Sequence, residues 1–221
     1  MKTTILAGLI GMMGVAAAGT AAAQQAPQGE SPWMVRVRAL NLDWANKSEA
    51  GSGSLNPTNL PADSINAANK LIPEVDISYF LTKNIAMELI LTVPQKHDTK
   101  ISQGPLAQSL GSFKQLPPTL TLQYHFIPDG KFRPYVGAGI NYTRISGVDL
   151  KTSTGTVLTL DDSSVGGAMQ AGVDIPINKN LSFNFDVKKI YISTDVKIGG
   201  EKVSNLKLDP LAIGVGLGWR F

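Results

Sequence analysis

The sequence predicts an all-β fold: an eight-stranded antiparallel transmembrane β-barrel with long extracellular loops and short periplasmic turns. Segments of about ten residues alternate large apolar residues with small or polar ones, the period-two signature of strands with two unlike faces. The connections between these segments alternate short and long. Charged residues make up 17% of the 221-residue chain, below the roughly 25% usual in soluble domains. Beyond residue 23 no apolar run reaches the length of about 18 residues that a membrane helix needs.

Composition narrows the chemistry. The chain has no cysteine and two histidines, His97 and His125, so disulfides, thiolate metal sites and a multi-histidine metal centre are not expected. Lys2 precedes an apolar and small stretch over residues 5–18, and Ala21-Ala22-Ala23 supplies a small-x-small cleavage pattern. Residues 1–23 are therefore expected to be a secretory signal peptide and residues 24–221 the barrel. Losing Lys2 brings the net charge of +3 down by one, too small an excess to suggest nucleic-acid binding.

The strands follow in order. The first sets Val35, Val37 and Ala39 against Arg36, Arg38, Leu40 and Leu42 and is the least regular. The second alternates Val75, Ile77, Tyr79 and Leu81 with Glu74, Asp76, Ser78 and Phe80, and the third Met87, Leu89, Leu91 and Val93 with Ala86, Glu88, Ile90 and Thr92. Leu120, Leu122, Tyr124 and Phe126 then alternate with Thr119, Thr121, Gln123 and His125, and Val136, Ala138, Ile140 and Tyr142 with Tyr135, Gly137, Gly139 and Asn141. Met169, Ala171, Val173 and Ile175 oppose Ala168, Gln170, Gly172 and Asp174, while Leu181, Phe183, Phe185 and Val187 oppose Ser182, Asn184, Asp186 and Lys188. In the last strand Leu211, Ile213, Val215, Leu217, Trp219 and Phe221 alternate with Ala212, Gly214, Gly216, Gly218 and Arg220. Glycines suit a narrow lumen better than a wet outer face, and Trp219 with Phe221 fits an aromatic girdle. A strand ending in phenylalanine resembles the terminal signal of bacterial outer-membrane barrels, which implies that Phe221 is presented to the barrel-assembly machinery.

Thr82-Lys83-Asn84, Pro128-Asp129-Gly130-Lys131 and Asn178-Lys179-Asn180 are short turns built from turn-forming residues. Residues 46–70, 96–115, 147–162 and 198–204 are expected to be long loops, with a helical turn over 64–70. Short turns on one side and long loops on the other place both termini in the periplasm.

Three stretches carry a family resemblance: Leu116-Pro117-Pro118-Thr119-Leu120, the segment KFRPYVGAGINYT at 131–143, and Leu208-Asp209-Pro210 leading to Gly218-Trp219-Arg220-Phe221. Together they resemble the OmpW family of outer-membrane proteins, which includes the alkane-uptake protein AlkL, over essentially the whole mature chain. The resemblance implies a hydrophobic channel that passes small apolar molecules inward, with lateral opening of its wall.

The interior of an eight-stranded barrel is about wide enough to be filled by its own side chains. The inward charges Arg36, Arg38, Arg133, Lys188 and Arg220 face Glu74, Asp76, Glu88, Asp174 and Asp186. This balance predicts an ion-pair plug that obstructs straight passage, since opposite charges in a hydrogen-bonded network are tolerated where a lone charge is not. Leu40, Leu42, Ile72, Ile90, Ile190 and Ile192 project inward in the extracellular half, an apolar cup open above and blocked below. Pro94, Pro117 and Pro118 sit where the third strand leaves the membrane and the fourth returns, and proline removes ladder donors, so a lateral gate is expected there. The partners implied are small hydrophobic molecules, outer-membrane lipid and lipopolysaccharide. No cofactor is expected. An enzyme is not expected either, because no Gly-x-Ser-x-Gly elbow or His, Asp and Ser set appears at strand ends. The rival reading is a non-transporting adhesin, receptor or membrane tether acting through its loops.

Overall fold

The computed structural model of the protein describes residues 31–51, 61–67, 69–102 and 107–221. The expected signal peptide, residues 1–23, lies outside the described residues. Fifteen β elements follow in chain order: β1 (Trp33–Asp43), β2 (Lys47–Ser48), β3 (Ile65–Ala67), β4 (Lys70–Phe80), β5 (Ile85–Thr92), β6 (Gln95–Ile101), β7 (Gln108–Leu116), β8 (Thr119–His125), β9 (Arg133–Lys151), β10 (Val157–Leu160), β11 (Ser163–Pro176), β12 (Leu181–Ile190), β13 (Ser193–Ile198), β14 (Glu201–Lys207) and β15 (Leu211–Arg220). Eight of them, β1, β4, β5, β8, β9, β11, β12 and β15, pair antiparallel in sequence, and the β15–β1 pairing closes the barrel. Closure satisfies every edge, the condition for crossing lipid with strands.

The expected alternation holds. Val37, Leu122, Ile140, Met169 and Leu217 face outward and exposed, while Arg36, Arg38, Thr121, Asn141 and Asp186 are buried in the lumen. Trp33 packs against Tyr79 with ring centroids 4.8 Å apart, and Tyr124 against Phe126 at 5.1 Å, near the short turns at the periplasmic rim. In one such turn Asn178 Oδ1 accepts from the Asn180 and Leu181 N–H groups; in another, Thr82 Oγ1 accepts from Asn84 and Ile85. The glycines of β15 make room for arginine. Arg36 pairs across the ladder with Gly218 and Arg38 with Gly216. A Cβ on Gly218 would come within 3.2 Å of Arg36 Cγ, and one on Gly214 within 3.3 Å of Arg38 Cδ.

The long connections depart from expectation. Of residues 96–115, the described ones lie largely in β6 and β7, which pair with each other; 147–162 contain the upper end of β9 and β10, and 198–204 belong to the β13–β14 hairpin. The expected helical turn over 64–70 is instead strand β3, paired with β6, followed by the start of β4. These segments pair as β3–β6–β7–β9–β10–β13–β14–β2. The Asp63 N–H donates to the Ser48 carbonyl at 2.8 Å and brings the β2 end toward β3. The result is a collar of β-structure standing on the extracellular rim.

The physical reason is that these segments keep period two with reversed polarity. Lys96, Asp98 and Lys100 of β6 are exposed, whereas His97, Thr99 and Ile101 are buried; on β7 Lys114 is exposed and Phe113 buried. Water lies outside the collar and lipid outside the barrel, so the same strand period carries opposite outer faces.

Candidate lumenal transport site

The periplasmic half of the lumen is filled by charge. Arg36 grips Asp174 with two hydrogen bonds, Nε to Oδ1 at 3.2 Å and a terminal nitrogen to Oδ2 at 2.7 Å, and reaches Glu88 at 2.6 Å and Ser78 at 2.7 Å. Arg38 meets Asp76 at 2.5 Å and Glu74 at 3.0 Å, and Lys188 bridges Glu74 and Asp186 at 2.7 Å each. Neutral groups complete the net. The Tyr135 hydroxyl donates to Asp186 at 2.7 Å, Asn184 Nδ2 to Asp174 at 2.8 Å and Gln170 Nε2 to Glu88 at 3.2 Å. Tyr135 occupies its place because Gly172 lacks a Cβ, which would overlap the Tyr135 ring at 2.5 Å.

Of the ten inward charges expected to pair, Arg36, Arg38, Lys188, Glu74, Asp76, Glu88, Asp174 and Asp186 come together. Arg133 and Arg220 do not. Arg133 Nε donates to the Gly130 carbonyl at 3.0 Å, and Arg220 lies 4.1 Å over the Phe80 ring with its Nε on the Ser31 carbonyl. Both belong to the periplasmic rim because the odd and even strands that carry them begin and end there. The net is therefore three cations among five carboxylates, rather than the balanced five and five; hydroxyl and amide donors reach Glu88, Asp174 and Asp186, while Asp76 has the Arg38 guanidinium beside it. Beneath it, lined by Met34, Phe80, His125, Arg133 and Arg220 among others, is a recess of about 30 Å³, room for water but not for an organic molecule.

One inward position higher the lumen turns apolar. On β1 the inward series runs Arg36, Arg38, Leu40, Leu42; on β4 Asp76, Glu74, Ile72; on β12 Asp186, Lys188, Ile190. Leu40, Leu42, Ile72, Ile190 and Ile192 join one buried apolar cluster. Ile90 is buried as expected but lies outside that cluster. The residues of the expected cup do not stand open by themselves: the collar adds Trp44, Ile101, Leu110, Phe113, Ile145, Leu150, Leu158, Leu160, Val196 and Leu206 to the same buried apolar cluster. Their signal was present in the apolar alternates of the polar-looking long connections.

His97 is buried in this upper compartment. Its ring stands edge-on to Trp44 at 4.7 Å and tilted to Phe113 at 5.6 Å. Burial, with the Lys70 ammonium adding to it, lowers the imidazole to about 4, so it is neutral at physiological pH.

Pro94 falls between β5 and β6, and Pro117-Pro118 between β7 and β8, so the three prolines lie at one level. The β5–β8 ladder ends at Ile90 opposite Thr119, and the β6–β7 ladder resumes at Gln95 opposite Gln115. Asn141, an inward residue of β9, holds the β7–β8 side of the break. Its Nδ2 donates to the Pro117 and Pro118 carbonyls at 3.2 Å and to Thr119 Oγ1 at 2.8 Å.

The profile of the OmpW family matches residues 34–221. The chain belongs to the OmpW family. It is 41% identical over 198 residues to an uncharacterized outer-membrane protein, y4mB, of Sinorhizobium fredii, covering 87% of this chain and 81% of that one. It is 28% identical over 198 residues to the dibenzothiophene metabolism operon protein PahQ of Pseudomonas aeruginosa, covering 87% and 90%. The fold matches the crystal structure of OprG from Pseudomonas aeruginosa with a TM-score of 0.71 at 24% identity, covering 87% of this chain and 97% of that one. It also matches outer membrane protein AlkL in lipid bilayers with a TM-score of 0.67 at 21% identity, covering 93% and 97%. This OmpW-family barrel is a bacterial outer-membrane protein.

Proposed function

We propose that the protein is a passive outer-membrane channel for small hydrophobic molecules. The observation that carries this is the vertical division of the lumen: a buried apolar cluster, within which the proposed chamber lies, stands on a charged network, with the proline break in the wall beside it. A molecule loaded through the collar from the lipopolysaccharide side finds aliphatic and aromatic contacts and no way down, because displacing the plug would strip buried charges of their partners. The remaining exit is sideways. At the level of Pro94, Pro117 and Pro118 the β5–β8 wall lacks ladder pairs, so parting it breaks few backbone hydrogen bonds, and the molecule leaves into the outer membrane. Asn141 braces one edge of the seam, tying the Pro117 and Pro118 carbonyls to β9.

A relative named for dibenzothiophene metabolism agrees with an apolar cargo, as does the resemblance to AlkL. Transfer from an aqueous to a lipid phase runs down its own gradient, so no energy source or cofactor is required. Catalysis has no part in this reading. His97 packs against Trp44 and Phe113, and His125 against Phe80 and Tyr135. Phe221 is the feature offered to the barrel-assembly machinery.

The test is uptake of a labelled alkane or simple aromatic by cells carrying the unaltered protein, against cells carrying Leu42→Arg with Ile190→Arg at equal barrel levels. Faster uptake with the unaltered protein alone is expected. Equal uptake by both would move the function to the collar's outer surface, as adhesin or receptor.

A further inference from the structure

The buried interior above the plug is mostly apolar, and polar side chains on several of its strands find partners, Thr143 on Asn141, Ser164 on the Ser193 N–H and Thr194 on the Asp161 N–H, whereas those on one wall of the proposed chamber do not. On the inner face of the β6–β7 hairpin stand His97, Thr99 and Gln115, each at least nine-tenths buried. Both ring nitrogens of His97, Oγ1 of Thr99 and both amide atoms of Gln115 are buried without a hydrogen-bond partner. A buried polar group left unpaired costs about 1–3 kcal/mol, and such groups are uncommon in native interiors. Five such atoms on one wall need an explanation.

Their placement supplies it. Gln95 pairs with Gln115 and His97 with Phe113 across the hairpin, so His97 and Gln115 are diagonal neighbours on one face, within reach of a single small guest. Gln115 stands one ladder position above the proline break, at the threshold of the lateral exit. The donor and acceptor inventory is neutral: an imidazole offers one of each, a carboxamide two donors and an acceptor, a hydroxyl one donor and its lone pairs. Lys96, Asp98, Lys100 and Lys114 of the same hairpin point outward to water, so no formal charge on this wall faces the chamber to balance a charged guest, which would be expensive to bury.

We propose that His97, Thr99 and Gln115 form a polar recognition wall for neutral apolar molecules bearing one hydroxyl, of the phenol or alcohol class. The hydrocarbon body packs on Trp44, Phe113 and the aliphatic residues below. The hydroxyl donates to the His97 ring nitrogen or the Gln115 carbonyl and accepts from the other residue's N–H. The wall thus sets specificity within the channel, and the inference rests on the chamber being the route proposed above.

The experiment compares para-cresol with para-xylene, in which a methyl replaces the hydroxyl, as ligands of the full barrel in lipid bilayers, with binding corrected for partition into the lipid alone. Para-cresol is expected to bind about tenfold more tightly, the discrimination available from one net hydrogen bond, and to shift the His97 imidazole resonances. His97→Phe with Gln115→Leu should abolish the preference and leave para-xylene binding intact. These replacements remove unpaired polar atoms, Gln115→Leu at similar volume and His97→Phe with one added ring carbon, so the barrel should fold, which heat-shifted gel mobility checks. Equal affinity of the unaltered protein for both ligands, or a preference that survives in the double variant, overturns the proposal. If the variant does not fold, an unmoved His97 resonance in the unaltered protein overturns it equally. Para-xylene uptake without cresol preference would remove the wall and keep the channel; a cresol-induced His97 shift without uptake of either compound would keep the wall and remove the channel.

Discussion

The membrane barrel and the extracellular collar use the same strand period and invert it. In the barrel the inside carries Arg36, Arg38, Glu88, Asp174 and Lys188 and the outside Val37, Leu122, Ile140 and Leu217; in the collar the inside carries Phe113, Leu158 and Leu206 and the outside Lys96, Asp98 and Lys114. The difference teaches that the outer solvent dictates one face and the other face follows by complement. Lipid requires apolar side chains outward, which leaves the lumen to whatever fills it, here a hydrogen-bonded charge network. Water permits polar side chains outward, and the collar then closes like an ordinary sandwich around an apolar core. The inversion marks the height of the membrane surface, and the proline break falls at that height.

The comparison is sharpest where a charge is removed from the lower lumen. Arg36→Met leaves Glu88 and Asp174 short of their shared partner, and the barrel should lose about 3–5 kcal/mol, measured by urea unfolding in lipid vesicles. A loss below 1 kcal/mol, far short of that order, would mean that the network is solvated and is no plug.

The matching change above is Leu206→Ala, a fully buried collar residue. It should cost roughly 2–4 kcal/mol through the cavity it opens, and hydrogen exchange should show that cost in β13, β14 and β10 while the barrel strands stay protected. Uniform loss of protection would mean that collar and barrel unfold as one unit.

A smaller effect separates the halves by pH. The folded His97 imidazole titrates at about 4 and its ordinary value is 6.5. Between these the unfolded hairpin binds more protons than the folded one, so stability rises with pH and is lost on acidification through that window. Exchange of the β6–β7 amides should speed up as pH falls from 6.5 toward 4, by at most about tenfold per pH unit, relative to the same measurement on His97→Phe. Parallel pH profiles for the two proteins would remove His97 as the cause.

The smallest effect belongs to an exposed pair. Lys83 Nζ lies 3.2 Å from Asp129 between two periplasmic turns, with both side chains more than half exposed. Lys83→Ala should change stability by less than about 0.5 kcal/mol, and a cost approaching that of Arg36→Met would erase the contrast between plug and rim.

The sequence by itself determined the barrel, because alternation is local and each strand declares both faces without its neighbours. Eight strands, three tight turns, the lipid-facing residues and eight members of the charge network were legible in this way. Arg133 and Arg220 carried the same inward parity but ended at the rim, since parity gives the face of a strand while height in the lumen comes from the stagger between strands. The collar was decided only by tertiary structure. Gly, Ser, Asn and Lys make its segments look like solvated loops, and their apolar alternates acquire meaning only when β6, β7, β9, β10, β13 and β14 meet around one axis. Features such as the hold of Asn141 on the Pro117 and Pro118 carbonyls and the unpaired atoms of His97 and Gln115 arise from pairings between residues more than 15 positions apart in the chain, and no local pattern encodes them.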